Sequence, residues 1–183
     1  MKIFSLKPRW GGMLPVSVGV SFEVCENFAN VDFAVKEPPD YFCQNKEKDG
    51  EAVWEDSCVE VFLKTLDRSG CYANFEFNSK GVCYAARGKD RQNRVELAES
   101  EYAQIIRKAS GVSKDGDFLR WTLAVQVPRE LLLTEDDLRT CLLSGNIYKC
   151  ADLAAKPHWL SLFPIETPAP DFHRPEFFNN ILY

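Results

Sequence analysis

An unbroken two-residue alternation limits this chain more than any other feature. Val16, Val18, Val20, Phe22 and Val24 fall on one side of an extended segment, and Ser17, Gly19, Ser21 and Glu23 on the other. Successive side chains of a strand point to opposite faces, so this period describes a half-buried strand and not a helix, whose apolar period is 3.6. Val31, Phe33 and Val35 repeat it, and Pro38-Pro39 ends the run because proline has no N–H to give to a ladder. From Val53 the pattern puts Trp54, Asp56, Cys58, Glu60 and Phe62 on one side and Val59, Val61 and Leu63 on the other. Next, Tyr72, Asn74, Glu76 and Asn78 oppose Ala73, Phe75 and Phe77, and Ser79-Lys80-Gly81 predicts a hairpin into Val82-Cys83-Tyr84. A later run sets Arg120, Thr122 and Gln126 against Leu119, Trp121, Leu123, Val125 and Val127. These three runs are expected to share one dry face and one polar face.

Many short strands separated by Gly, Pro and Asn predict an all-β fold, an antiparallel β-sandwich of jelly-roll type, over a single domain spanning residues 1–183. A hydrophobic share of 45% is enough for one packed core. Helical signals are confined to Leu97–Lys108 and to Thr134-Glu135-Asp136-Asp137, which resembles an N-cap followed by acids, so one or two short helices are expected. The C-terminal third is rich in proline and aromatic residues, too apolar for a loose linker, and is expected to wrap back and pack.

The net charge is −5, and no stretch gathers Lys and Arg into a basic stripe, which argues against nucleic acid as a partner. No apolar run predicts a membrane span, and Lys7, Pro8 and Arg9 follow the start too soon for a signal peptide. The expected location is cytoplasmic as written, or periplasmic or extracellular if a leader has been removed. Seven cysteines, an odd number with no Cys-x-x-Cys pair, point to reduced core thiols and not to a zinc ribbon, so no metal ligand is assigned.

The inferred polar face collects Trp54, Asp56, Glu60, Tyr72, Asn74, Glu76, Asn78, Arg120 and Gln126. A merely solvated face is rich in Lys, Glu, Thr and Ser. Aromatic rings beside carboxylates and amides instead suit a pyranose, whose C–H face stacks while its hydroxyls pair with polar groups.

Val53-Trp54-Glu55-Asp56-Ser57-Cys58-Val59-Glu60-Val61-Phe62, followed by Tyr72-Ala73-Asn74-Phe75-Glu76-Phe77-Asn78 and Gly81, resembles the signature strands of family 9 carbohydrate-binding modules. Asn146–Cys150, Pro157–Ser161 and Pro170–Phe178 resemble the stand-alone bacterial branch of that family, often described as DOMON-like. The resemblance implies a sandwich that holds a sugar end or short oligosaccharide on its concave face between two aromatic side chains. Trp54 matches one wall, Glu60 an acidic hydroxyl acceptor, and Asn78 and Arg87 further polar ligands. Trp159 lies in the Pro157–Ser161 block, but Leu162 stands where relatives carry Trp after Leu-Ser. Lys149 and His158 complete the expected carbohydrate-binding set of Trp54, Asp56, Glu60, Asn74, Glu76, Asn78, Arg87, Lys149, His158 and Trp159. By analogy the ligands are β-linked glycans such as xylan or glucan.

Other readings compete. Glu60 and Glu76 supply the acid pair that glycoside hydrolysis requires. The sandwich could also serve as a protein-interaction module without sugar binding. No catalytic residue and no cofactor are expected; the carboxylates leave a structural calcium ion open, although no loop resembles a calcium repeat. Haem would need axial ligands from Met1, Met13, His158 or His173.

Overall fold

Strands form where the alternation predicts them, and a computed structural model describes residues 1–182. In chain order the strands are β1 (Lys2–Ser5), β2 (Lys7–Arg9), β3 (Ser17–Val24), β4 (Phe28–Glu37), β5 (Cys58–Lys64), β6 (Tyr72–Asn78) and β7 (Cys83–Gly88). They continue with β8 (Arg94–Glu96), β9 (Ile106–Ala109), β10 (Ser113–Asp115), β11 (Phe118–Pro128), β12 (Ser144–Cys150), β13 (Trp159–Ser161) and β14 (Asn179–Asn180). One sheet has the order β1-β3-β4-β11-β10, with β9 also on β11; the other runs β2-β13-β12-β5-β6-β7-β8, with β14 on β12. Every pairing is antiparallel. The architecture is the expected antiparallel sandwich.

Between the sheets, Val18, Val20, Phe22, Val31, Phe33, Trp121 and Leu123 meet Val59, Val61, Leu63, Phe75, Phe77 and Ile147, all buried in one cluster. Each such side chain contributes roughly 1.5–3 kcal/mol by leaving water. The run with Trp121 therefore has its dry face inward, as predicted, but in the opposite sheet from β5 and β6. Arg120 and Gln126 consequently point away from the other polar residues. Arg120 pairs with Asp115, and Gln126 Nε2 donates to Asn30 Oδ1 at 2.9 Å. Parity alone does not say on which side of a two-sheet core a strand lies.

Three local expectations are corrected. Trp54 belongs to a 3-10 turn, Val53–Glu55, and the strand begins only at Cys58. The 97–108 segment divides into one helical turn, α1 (Glu99–Tyr102), and then β9. Thr134 starts no helix: its hydroxyl accepts from Asp136 N, while Asp137 caps the 3-10 turn Leu138–Thr140.

The eight-stranded sheet is buried on both faces. Cys58, Phe62, Tyr72, Tyr148 and Cys150 form a second cluster on its outer side with Ile165 and Phe172. The C-terminal segment covers it as expected. Phe172 stacks on Tyr148 with ring centroids 4.2 Å apart and planes 7° from parallel, and the Tyr148 hydroxyl donates to Phe172 O at 3.1 Å. Phe178 meets the Tyr72 ring edge-on at 5.6 Å.

A buried polar network joins the sheets. Lys149 Nζ on β12 lies 2.9 Å from Glu37 Oε2 at the end of β4, and both side chains are fully buried. That contact lacks hydrogen-bond geometry and is an ion pair. Glu37 Oε1 accepts from Trp121 Nε1 at 2.8 Å, and Lys149 Nζ donates to Cys150 O at 2.9 Å. Burial, then the Lys149 charge, lowers the His158 imidazole to about 3. A neutral ring fits the contacts: Nε2 accepts from Lys149 Nζ at 3.0 Å, and Nδ1 faces Lys156 O at 3.2 Å.

Removing one partner of a buried ion pair leaves a desolvated charge, whereas removing both spares it. Lys149→Met is expected to cost about 3–5 kcal/mol, and Lys149→Met with Glu37→Gln, which keeps an acceptor for Trp121, to cost less than the single change; urea titrations of the variants measure both. An imidazole held neutral below its unfolded value of 6.5 adds stability above that pH, which is lost as pH falls toward about 3. His158→Gln is therefore expected to flatten the acid limb of stability between these limits by up to about 1.4 kcal/mol per pH unit, read from denaturation midpoints across pH.

Candidate functional site

Register lays out the outer face of the eight-stranded sheet in rows. Tyr148, Glu60, Glu76 and Tyr84 are successive partners across β12, β5, β6 and β7. In the next row Trp159, Cys150, Cys58 and Asn78 are partners across β13, β12, β5 and β6. A pocket opens over these rows. Glu60, Glu76 and Cys150 line it from the sheet, Trp54 from the turn before β5, Trp159 from β13, Arg91 from the turn after β7, Arg94 from the start of β8, and Asp171, Phe172 and His173 from the C-terminal segment.

Both tryptophans are half-buried and held in place. Trp54 meets Tyr84 edge-on at 5.2 Å, and its carbonyl accepts from Asp152 N at 3.1 Å. Trp159 Nε1 donates to Asp152 Oδ1 at 2.9 Å. One residue thus touches both aromatic walls. Leu162 instead packs against the main core, so the wall comes from Trp159, three positions earlier.

The turn that brings the arginines depends on Gly88, where an added Cβ would lie 2.1 Å from Asn93 O. Asp90 Oδ1 accepts from the backbone N–H groups of Gln92 and Asn93 at 2.9 and 2.8 Å. Arg94 Nη1 then sits 3.7 Å from Glu76 Oε1 and 3.2 Å from His173 Nε2, with its guanidinium 5.5 Å from the Tyr84 ring centre. Burial, followed by the charges of Arg94 and Arg91, lowers His173 to about 3, so its Nε2 accepts from Arg94 while Nδ1 faces the Tyr72 hydroxyl at 2.8 Å. The floor carboxyls shift the other way. Burial raises Glu76 to about 7 against the opposing pull of Arg94 and of the Asn74 amide. Burial, then Cys150 and Glu76, pushes Glu60 well above the usual carboxylate range.

Of the residues expected to bind, Trp54, Glu60, Glu76 and Trp159 come together in the pocket. Asn74 lies behind them and donates to Glu76 Oε1 at 3.0 Å. Asp56 and Asn78 are fully buried and anchor the preceding loop. Asp56 accepts from Asn45 N, Lys46 N and Asn78 Nδ2 at 2.8, 2.9 and 3.0 Å, and Asn78 Oδ1 accepts from Lys80 N and Val82 N. Arg87, Lys149 and His158 are corrections. Lys149 shares the inward parity of Ile147, and His158 packs against it inside the sandwich. Arg87 follows the inward parity of Ala85, pairs with Glu101 and reaches Leu131 O. The residues missed are Arg91, Arg94, Cys150, Asp152, Asp171 and His173.

No curated protein matches the chain. Among solved structures, a presumed carbohydrate-binding protein from Bacteroides uniformis superposes with a TM-score of 0.80 at 25% identity, over 97% of this chain and 84% of that one. A family 9 carbohydrate-binding module from Caldicellulosiruptor kristjanssonii, solved with glucose, has a TM-score of 0.55 at 14% identity, covering 97% and 82%. A module of the same family and organism, solved with cellotriose, has a TM-score of 0.51 at 14% identity, covering 96% and 78%. These last two likenesses concern the fold alone. The model of carbohydrate-binding family 9 matches residues 10–183, a span that includes the floor and both tryptophan walls, and the chain belongs to that family.

Proposed function

We propose that this module holds the end of a saccharide chain, or a short oligosaccharide, in the pocket without cutting it. The observation that carries the reading is the convergence of Trp54 and Trp159, from separate elements, over the adjacent carboxyls of Glu60 and Glu76. A pyranose offers two apolar C–H faces and a rim of hydroxyls. Indole rings cover the first, while carboxyl and guanidinium groups pair with the second. Arg94, already oriented by His173, supplies N–H donors, and the carboxyls supply acceptors. The family 9 modules solved with glucose and cellotriose support a saccharide as the ligand.

Hydrolysis is the weaker reading of the same two acids. A glycosidase needs one carboxyl kept protonated and another kept ionised. Here burial raises both Glu60 and Glu76, with only Glu76 opposed by Arg94 and Asn74, and the two are direct cross-strand neighbours on one floor, whereas hydrolysis needs carboxyls that flank the scissile bond.

Calorimetric titration with glucose, cello-oligosaccharides and xylo-oligosaccharides is expected to give saturable binding. Trp54→Ala and Trp159→Ala are each expected to weaken it by about 2 kcal/mol, roughly thirty-fold. Binding that survives both substitutions would remove the clamp, and release of reducing sugar from the oligosaccharides would replace binding with hydrolysis.

A further inference from the structure

We infer that Cys58, Glu60 and Cys150 form a site for a thiophilic divalent cation of the zinc class, at the floor of the pocket. Cys58 and Glu60 are two residues apart on β5 and share its outward face, and Cys150 is the direct cross-strand partner of Cys58. The two sulfurs and a Glu60 carboxyl oxygen all lie within 4.8 Å of one another. Among the described residues this is the one group in which three ligand atoms of such residues converge. All three residues are at most 2% exposed, and strands on either side hold their backbones.

The contacts of Glu60 leave it capacity to act as a ligand. Its only hydrogen bond among the described residues comes from the Cys150 thiol, with Sγ 3.0 Å from Oε1. A thiol is a weak donor, and a buried carboxyl ordinarily has better partners. The Arg94 guanidinium is directed to Glu76 and His173. Asn74 also donates to Glu76. Lys149 follows Tyr148 along β12 but points into the sandwich, toward Glu37.

Two sulfur ligands and one carboxyl oxygen select the ion. Calcium and magnesium take oxygen ligands, whereas thiolates favour zinc and other soft or borderline ions. With zinc–sulfur and zinc–oxygen bonds of about 2.3 and 2.0–2.2 Å, a tetrahedral ion sets sulfur and carboxyl oxygen about 3.6 Å apart, so Cys150 Sγ and Glu60 Oε1, now 3.0 Å apart and sharing the thiol proton, separate slightly when that proton leaves. Binding displaces the thiol protons to solvent, because the thiolate is the ligand. Three protein ligands leave one tetrahedral position, and Cys150 and Glu60 both line the pocket, so that position is supplied from the pocket side. The assignment does not depend on what else the pocket binds. No spacing motif announces it, because Glu60 and Cys150 are 90 residues apart.

The test is titration of the reduced, chelator-stripped protein with cadmium ion, following the thiolate-to-cadmium charge-transfer absorbance, with zinc ion as competitor. One ion per chain, displaced by zinc, is expected. Cys150→Ser and Cys58→Ser should each weaken binding by at least about tenfold, and the isosteric Glu60→Gln should weaken it while keeping the absorbance. Cys25→Ser and Cys141→Ser, remote from the floor, should leave the titration unchanged. Absence of the band at stoichiometric cadmium, or a band unaltered in Cys58→Ser, Cys150→Ser and Glu60→Gln alike, would overturn the assignment. Because Glu60→Gln alters no sulfur and little volume, it keeps the test decisive if a cysteine variant fails to fold.

Discussion

The pleat of β5 is the constraint on which both core and site depend. Val59, Val61 and Leu63 enter the space between the sheets, while Cys58, Glu60 and Phe62 enter the layer beneath the C-terminal segment. A shift of one residue would put carboxyl and thiol groups into the sandwich and turn valines toward the pocket. Two buried faces therefore specify the register more strongly than one would. They also oblige each polar group on either face to find a partner inside the protein. Much of the remaining architecture follows from that obligation, including the inward ion pair, the Asp56 anchor and the turn that carries Arg94.

The ion pair of Glu37 and Lys149 illustrates how the faces are coupled. Replacing such a pair by apolar residues often leaves stability unchanged or raised, so its presence is not explained by stability alone. Its location is more informative. Lys149 also donates to the carbonyl of Cys150, whose side chain lies on the other face at the pocket floor. Trp121, Glu37, Lys149 and His158 thus fasten the β12 backbone, directly behind the floor, to the opposite sheet.

Periodicity made the strands and their dry faces legible, because burial on one face leaves an alternating record. Lys149 and Arg87 entered the expected set through the family resemblance and not through the alternation, and both stand on inward positions of the pleat. Ile147 two residues before Lys149, and Ala85 two before Arg87, carried the parity that would have corrected both. Asp56 and Asn78 look like ligands by residue type, but their hydrogen bonds are spent within the chain. Arg94 was legible in principle. Gly88 is a close-approach position, and continuing the hairpin register from it leads directly to Arg94 as its partner. Asp171 and His173 were beyond such reasoning because they arrive on a segment whose path over the sheet depends on aromatic stacking rather than on a ladder.

Floor and walls are consequently built by different means. The floor is a piece of sheet, in which Glu60, Glu76 and Cys150 are placed by hydrogen-bonded register and backed by a dry core. The walls stand on a turn before β5 and on the short strand β13. Asp152 links them, donating its backbone N–H to the Trp54 carbonyl and accepting from the Trp159 indole. Changes of length or sequence around Asp152 would move the two indoles and leave the ladder that places the carboxyls in register. On the proposed reading, the polar floor and the indole walls can therefore vary independently on one scaffold.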